Sequence, residues 1–192
     1  MRFANGDDTQ PLTVEAFENH VYFYSMIDTD RCLALMQKLH ETERYLLTEK
    51  LTRNKDVADP IWLHIQSGGG DIFAAFSVAD QIKQMHLPVY SIVEGYVASA
   101  ATVISTSCNK RYIHPHAFMM IHQISTWFMG THEELKDEFA LMEMLSENMY
   151  EWYVKHTKLT KDELQEKIKR NCWMTAEQAV EWGFADEVYD NH

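Results

Sequence analysis

Residues 61–70 read IWLHIQSGGG, a short and nearly continuous apolar run that ends in three glycines. A run of this length that is bounded by a turn is typical of a buried β-strand. The stretch 72–85 follows it with apolar residues at helical spacing, and Pro88 lies just beyond that stretch. Strand, turn and helix in this order predict one unit of an α/β sheet, which is the fold class that we assign to the chain.

The same alternation continues on both sides of this unit. A length of 192 residues fits one such domain with a sizeable core. Further strands are predicted over residues 20–24, 89–93, 112–113 and 118–121, and further helices over about 28–47 and 100–107.

The C-terminal third of the chain is predicted to be helical. Thr131 and Glu134 have the spacing of a capping box, and apolar residues follow at helical spacing to about His156. A helix of this length with so narrow an apolar seam can project from the domain and pack against another subunit. Shorter helices are bounded by two more capping boxes and a glycine stop, which are Thr160 with Glu163, Thr175 with Gln178, and Gly183.

Composition limits the classes of partner. The formal net charge of -12 argues against nucleic acid and anionic membranes, because both require a basic surface. The sequence shows no signal-like segment and no uninterrupted apolar stretch long enough to span a bilayer. Three widely spaced cysteines, Cys32, Cys108 and Cys172, suggest reduced thiols rather than disulfides. We therefore expect a cytoplasmic protein that binds neither nucleic acid nor membranes.

The glycines at 68–70 bring free backbone N–H groups to the start of a predicted helix. Such groups favour negative charge, so the turn can bind a phosphate or stabilise an oxyanion. It lacks the Lys-Ser/Thr pair of a phosphate loop and the glycine spacing of a dinucleotide site. A purely structural turn stays open as the alternative.

Two reactive side chains follow strand-like runs. Residues 95–101 read GYVASAA and contain Ser99, and residues 118–123 read FMMIHQ and contain His122. A serine is a weak nucleophile without a nearby base, and a strand-to-helix position gives Ser99 the support of a helix N-terminus. Taken singly, a serine in such an alanine-rich segment is usually a helix cap, and a histidine at a strand end is more often a core or edge residue than a base.

Taken in chain order, four segments resemble the Clp (caseinolytic) peptidase family, the serine peptidases of the Clp/crotonase fold. The resemblance covers about residues 17–188. It implies a repeated ββα core with a long projecting handle helix at about 124–157, in one domain over 15–192 that follows a polar segment at 1–14. The matching segments are IQSGGG at 65–70, GYVAS at 95–99, MIHQ at 120–123 and AEQAVEWGFAD at 176–186.

The resemblance also implies a catalytic site and its partners. Carried over by position, Ser99 is the nucleophile, His122 the general base and Asn171 the third member of the triad. The backbone N–H groups of Gly69 and Ala100 form the oxyanion hole, with no cofactor and no metal. The expected substrates are proteins or peptides. The expected assembly is a homo-oligomer of two stacked heptameric rings, which a Clp-type unfoldase ATPase supplies with substrate.

The sequence departs from the family's pattern at four positions. Asn171 matters most, because an amide can orient a histidine but supplies no charge and can favour the wrong tautomer. In a Ser-His-Asp triad the aspartate-to-asparagine change lowers turnover about 10⁴-fold, yet Cys-His-Asn enzymes use an amide in this role. Gly68 and Ile124 stand where the family has prolines, Asn171 where it has an aspartate, and Lys169 where it often has an acidic residue.

We therefore predict a serine endopeptidase of unfolded proteins whose Ser-His-Asn triad is weakened. The first alternative is a non-catalytic or low-activity ring subunit that assembles with an active paralogue. A second is a crotonase-like acyl-CoA enzyme, which shares the architecture and an oxyanion hole but does not explain the pairing of Ser99 with His122. Asp162 and Asp186 are candidate substitutes for Asn171 in the triad.

Overall fold

The computed structural model describes residues 14–54 and 56–189, so the polar segment predicted at 1–14 lies outside the described residues except for Val14. Strands and helices alternate through the first two thirds of the chain, as predicted. The elements in chain order are β1 Val14–Phe17, β2 His20–Phe23, α1 Thr29–Thr52, β3 Ile61–Ser67, α2 Ile72–Gln84, β4 Val89–Ala98, α3 Ala100–Ser107, β5 Lys110–Ile113, β6 Phe118–Ile121, α4 His132–His156, α5 Lys161–Lys167, β7 Cys172–Met174, α6 Ala176–Trp182 and β8 Glu187–Val188.

The strands form one mixed sheet that divides at β4. Strands β2 to β5 pair in parallel in chain order, with β1 antiparallel at one edge and β8 parallel at the other. The last residues of β4 pair instead with β6, in parallel, and β6 pairs with β7 in the antiparallel sense. The ends of β4 and β6 therefore lie side by side, at the point where each strand leads into a segment with a reactive side chain.

Several sequence predictions are confirmed residue by residue. Helix α3 and strand β6 have the predicted bounds. The Asp28 side chain caps α1, and Gly183 ends α6 in the left-handed conformation with φ of 81°. The three predicted capping boxes are present at the starts of α4, α5 and α6. Local hydrogen-bonding residues thus set these helix ends as the sequence indicates.

Strand β4 is longer than predicted. It continues to Ala98, whereas the apolar pattern predicted an end at Val93. The pairing with β3 shifts register after Ile65, because β4 carries extra residues at a bulge that contains Gly95 with φ of 59°. The residues of β4 after the bulge pair with β6 instead of β5. This pairing extends β4 to Ala98, the residue before Ser99.

Helices α3 and α4 differ in how they are packed. Every residue of α3 is buried. In α4 the buried residues are Leu145, Met149 and Tyr153, all in its second half. The first half exposes Leu135 and Phe139, the latter to 70%. Only the second half of α4 therefore belongs to the core of this chain.

The side chain of Arg111 joins β5 to two helix ends near the C-terminus. Its Nη1 donates to the carbonyl oxygen of His156 at 2.6 Å and to that of Gly183 at 2.8 Å. Its guanidinium also pairs with the Asp186 carboxylate, with Nε 3.2 Å from Oδ2. A planar guanidinium has the fork of donors that this set of three acceptors requires.

We expect Arg111→Lys to lower the free energy of unfolding by about 1–3 kcal/mol, because a lysine ammonium cannot bond all three acceptors in that geometry. Urea unfolding at a fixed protein concentration measures the change. The control is Lys38→Gln, which removes an exposed pair with Glu41 and should change stability by less than about 0.5 kcal/mol. Equal losses in the two variants would contradict the assigned role of Arg111.

Candidate active site

Ser99 lies at the junction of β4 and α3 in an unusual backbone conformation. Its φ is 56° and its ψ is -131°, in a region that residues other than glycine rarely adopt. The Ser99 N–H donates to the carbonyl oxygen of Met120 on β6 at 2.8 Å. Its hydroxyl makes no capping hydrogen bond to α3. The interpretation of this serine as an ordinary helix cap therefore does not describe the structure.

His122 directly follows β6, and its ring reaches Ser99. Because Ala98 and Met120 are partners in the parallel pairing of β4 and β6, the two segments leave the sheet next to each other. The His122 Nε2 lies 2.8 Å from the Ser99 Oγ. At this distance the imidazole can accept the serine proton, which is the geometry that an activated serine nucleophile requires.

The turn between β3 and α2 comes into direct contact with Ser99. Gly69 has a φ of 90°, and a Cβ at this position would lie 2.6 Å from both the Ala98 carbonyl oxygen and the Ser99 Cβ. Only glycine fits such an approach. The turn therefore brings the backbone of Gly69 beside the first residue of α3, Ala100, whose N–H has no acceptor within the helix.

The orientation of this turn is fixed by Ile27. The Ile27 N–H donates to the Gly69 carbonyl oxygen at 2.9 Å, and the Ile27 carbonyl oxygen accepts from the Asp71 N–H at 2.9 Å. The Gly69 N–H donates to the Ser67 Oγ at 3.2 Å. An oxyanion bound by Gly69 would therefore take the place of the Ser67 hydroxyl as the acceptor.

Asn171 is brought towards His122 by the strand register but does not bond to it. The antiparallel pairing of β6 with β7 ends at Ile121 opposite Cys172, so His122 and Asn171 are next in line. The Asn171 side chain is exposed. Within residues 14–54 and 56–189, Ser99 is the hydrogen-bond partner of the His122 ring, and the Asn171 amide makes no hydrogen bond.

The two aspartates considered as substitutes are not engaged with His122 either. Asp186 is paired with Arg111, and Asp162 lies in the first turn of α5. The structure thus joins Ser99 and His122 and places the Gly69 and Ala100 backbones beside them, while the side-chain amide of Asn171 makes no hydrogen bond with any described residue.

A cavity of about 240 Å³ lies beside Ser99 and His122. Residues 122–126 form one wall, and the part of α4 from Glu138 to Tyr153 forms another. The lining combines polar and apolar side chains, and the polar ones include Asp71, Gln123 and Glu138. Its apolar lining residues include Ile72, Ile124, Leu145, Met149 and Tyr153.

None of the three cysteines lines the cavity beside Ser99 and His122. All three are free thiols, and burial raises the pKa of Cys32 to about 11 and that of Cys108 to about 12. These two thiols are therefore protonated near neutral pH. In the described part of the chain, no group of three or more His, Cys, Asp or Glu is arranged to hold a metal ion. Across the same residues, no helix is both long enough and apolar enough to cross a membrane.

Similar sequences carry consistent names. The chain is 29% identical over 174 residues to the ATP-dependent Clp protease proteolytic subunit 2 of Treponema denticola, covering 82% of this chain and 87% of that protein. It is 34% identical over 138 residues to proteolytic subunit 1 of Chlamydia pneumoniae, covering 70% of this chain and 72% of that protein.

The fold is also shared with a solved structure. The structure of a ClpP1 point mutant from Listeria monocytogenes superposes with a TM-score of 0.78 at 22% identity, covering 91% of this chain and 93% of that one. The α/β fold with a long helix is therefore of the Clp type. The family model described as Clp protease matches residues 15–192. The chain accordingly belongs to the Clp protease family, and its class of enzyme is that of a serine-type endopeptidase.

Proposed function

We propose that Ser99 and His122 carry out peptide-bond hydrolysis in this protease subunit. The observation that carries the proposal is the distance of 2.8 Å between the His122 Nε2 and the Ser99 Oγ. In the proposed reaction His122 takes the Ser99 proton while the serine oxygen bonds to the carbonyl carbon of the substrate. The same histidine then gives the proton to the leaving amine, and water releases the acyl group by the reverse sequence.

The oxyanion of the tetrahedral intermediate is held by the backbone N–H groups of Gly69 and Ala100. Support for this assignment comes from the close approach of Gly69 to Ser99 and from the position of Ala100 at the start of α3. Donors fixed by the fold need no reorganisation when charge develops, which is why such sites accelerate acyl transfer. Binding the oxyanion requires that the Gly69 N–H exchange its bond to the Ser67 hydroxyl.

Asn171 is proposed as a weak third member of the triad that engages His122 only in the assembled protein. Support comes from the register of β6 and β7, which puts the two residues next in line. Without a negative charge the imidazolium is less stabilised during attack, so turnover is low. Among the described residues the side-chain amide of Asn171 has no hydrogen-bond partner, which also favours a second function, that of a low-activity or non-catalytic ring subunit working with an active paralogue.

The proposed assembly is a homo-oligomer of two stacked heptameric rings that encloses the active sites. The relatives are named as proteolytic subunits of ATP-dependent proteases, which supports an unfoldase ATPase as partner and unfolded proteins or peptides as substrates. The exposed apolar residues on the first half of α4, including Leu135 and Phe139, supply a surface for contact between subunits. The proposed compartment is the cytoplasm, without nucleic acid or membrane as a partner.

A crotonase-like acyl-CoA enzyme is the alternative from another class. It needs an oxyanion hole but has no use for a histidine bonded to a serine, so the contact of His122 with Ser99 argues against it. A thioester-binding assay on the assembled protein separates the two.

We expect a fluorophosphonate probe to label the assembled wild-type protein slowly and Ser99→Ala not at all. Asn171→Asp should be labelled at least 10-fold faster, because a carboxylate stabilises the imidazolium that forms during attack. Labelling rates followed on a gel measure the effect. The matched control is Asn54→Asp, which adds the same charge at an exposed position and should leave the rate unchanged.

Two other outcomes of this experiment are informative. Labelling of Asn171→Asp but not of the wild type would identify a non-catalytic subunit with a recoverable site. An absence of labelling in every assembled form would contradict the assignment of Ser99 as the nucleophile.

We expect Gly69→Ala to lower kcat about 10²-fold or more, because its Cβ would collide with the Ala98 carbonyl and displace an oxyanion donor. Gly68→Ala is the matched control. Its Cβ would meet mainly the flexible Met26 side chain, at 3.3 Å from the sulfur, so activity should change little. Peptidase assays on both variants test the oxyanion assignment, and equal activities would refute it.

The cavity predicts which substrate residue precedes the cleaved bond. A large apolar side chain fits the wall formed by Ile124, Leu145 and Met149, so kcat/KM should be at least 10-fold higher for leucine than for alanine there. An aspartate at that position should be the poorest substrate, because its charge would be desolvated. A peptide series that varies this one residue provides the measurement, and an inverted order would rule out this cavity as the binding site.

A further inference from the structure

Tyr153 places a hydroxyl deep in the contact between α4 and α3. The residue is 2% exposed, and its ring packs on Phe184 with the ring centres 5.3 Å apart. Its hydroxyl lies 2.6 Å from the Thr102 Oγ1, one turn into α3. The mechanism proposed above does not use either hydroxyl.

The two hydroxyls form a directed chain that ends on Ser99. The Thr102 Oγ1 donates to the Ser99 carbonyl oxygen at 2.6 Å, and the Thr102 N–H donates to the same oxygen at 3.0 Å. Because the threonine hydroxyl has one hydrogen, the Tyr153 hydroxyl must be the donor in the bond between them. Burial raises the pKa of Tyr153 to about 12, so the tyrosine keeps this proton near neutral pH.

The carbonyl that receives this chain belongs to the same peptide unit as the Ala100 N–H. A trans peptide is planar, so its carbonyl and N–H point in opposite directions and turn together. Fixing the Ser99 carbonyl therefore fixes the direction of the Ala100 N–H. The backbone at Ser99 requires such support, because its φ is 56° and a strained backbone conformation persists only where surrounding contacts stabilise it.

We propose that Tyr153 and Thr102 are positioning residues that aim the Ala100 N–H at the oxyanion of the substrate. This inference rests on the proposed function, since it assigns Ala100 as an oxyanion donor. Successive hydrogen bonds also polarise one another, so the tyrosine proton strengthens the bond from Thr102 to the Ser99 carbonyl. The second half of α4 thereby takes part in the geometry of the active site.

The chain offers a matched control between the same two helices, one turn further along α3 and at the residue before Tyr153 on α4. Trp152 Nε1 donates to the Thr106 Oγ1 at 2.9 Å, and that hydroxyl donates to the Thr102 carbonyl oxygen at 2.7 Å. The arrangement is the same, with one α4 donor and one threonine hydroxyl that bonds back to a carbonyl of α3. The difference is that the Thr102 carbonyl does not belong to the peptide unit of the oxyanion donor.

The test compares Tyr153→Phe, Thr102→Val and their double variant with Thr102→Ser and Thr106→Val, all in the assembled Asn171→Asp protein to raise the basal rate. We expect Tyr153→Phe and Thr102→Val each to lower kcat about 10-fold, with KM unchanged. A peptide aldehyde, whose serine adduct carries an oxyanion, should bind more weakly by the same factor. The double variant should be no worse than Thr102→Val, because both changes break one chain.

Two further variants, Thr102→Ser and Thr106→Val, serve as the rescue and the control. Thr102→Ser keeps the hydroxyl and should retain most of the activity, whereas Thr106→Val should keep its kcat even where its urea midpoint falls as far as that of Thr102→Val. The inference is overturned if Thr106→Val loses as much kcat as Thr102→Val. A rise in KM without loss of kcat in Tyr153→Phe, or additive losses in the double variant, would overturn it as well.

A second readout separates this inference from the proposed function. In protein labelled with ¹⁵N-alanine, loss of the hydrogen bond to the Ser99 carbonyl should shift the Ala100 amide signal in Tyr153→Phe and Thr102→Val but not in Thr106→Val. This shift is expected even if the protein proves inactive, whereas an unmoved signal would refute the chain itself. Labelling of Ser99 by the fluorophosphonate probe, lost in Ser99→Ala, reports on the proposed function independently.

Discussion

At Gly69 the turn after β3 lies so close to the serine that an added Cβ would be 2.6 Å from the Ser99 Cβ. This approach requires that the position of the turn be fixed, and Ile27 fixes it through two backbone hydrogen bonds, to Gly69 and to Asp71. It also requires β4 to reach Ser99 beyond the end of its pairing with β5, which the bulge at Gly95 allows. The proposed oxyanion donors and the proposed nucleophile are therefore positioned by backbone geometry, and the sheet fixes where the side chains of the site lie.

Much of this frame could be predicted from the sequence, since its signals are local. The apolar run at 61–65 and the helical spacing that begins at Ile72 reflect burial within single elements, and Asp28 and Thr131 mark helix starts through bonds to their own first turns. The pairing of Ser99 with His122 followed from the resemblance and from their positions after two strands. The close approach of Gly69 is likewise indicated by three consecutive glycines, because few other turns require that composition.

The parts that could not be predicted depend on contacts between distant segments. Strand β7 has three residues and β8 has two, which is too short for a periodic signal, so the antiparallel partner of β6 was not predicted. The hydrogen bond between the Tyr153 and Thr102 hydroxyls joins residues that are 51 apart in the chain. A tyrosine or a threonine in a sequence does not indicate which residue its hydroxyl bonds to. The sequence predicted that Asn171 orients His122. The strand register places the two residues next to each other, but no hydrogen bond joins their side chains.

The order of these segments along the chain has a consequence for synthesis. A ribosome makes Ser99 before His122, before the second half of α4 and before β7, yet β6 is completed at its outer edge only by β7. A nascent chain thus carries Ser99 before His122 and Met120, which contact it in the folded domain, and native pairing of β6 must wait for nearly the whole domain. The topology in this way makes the geometry around Ser99 and His122 one of the last features of the domain to form.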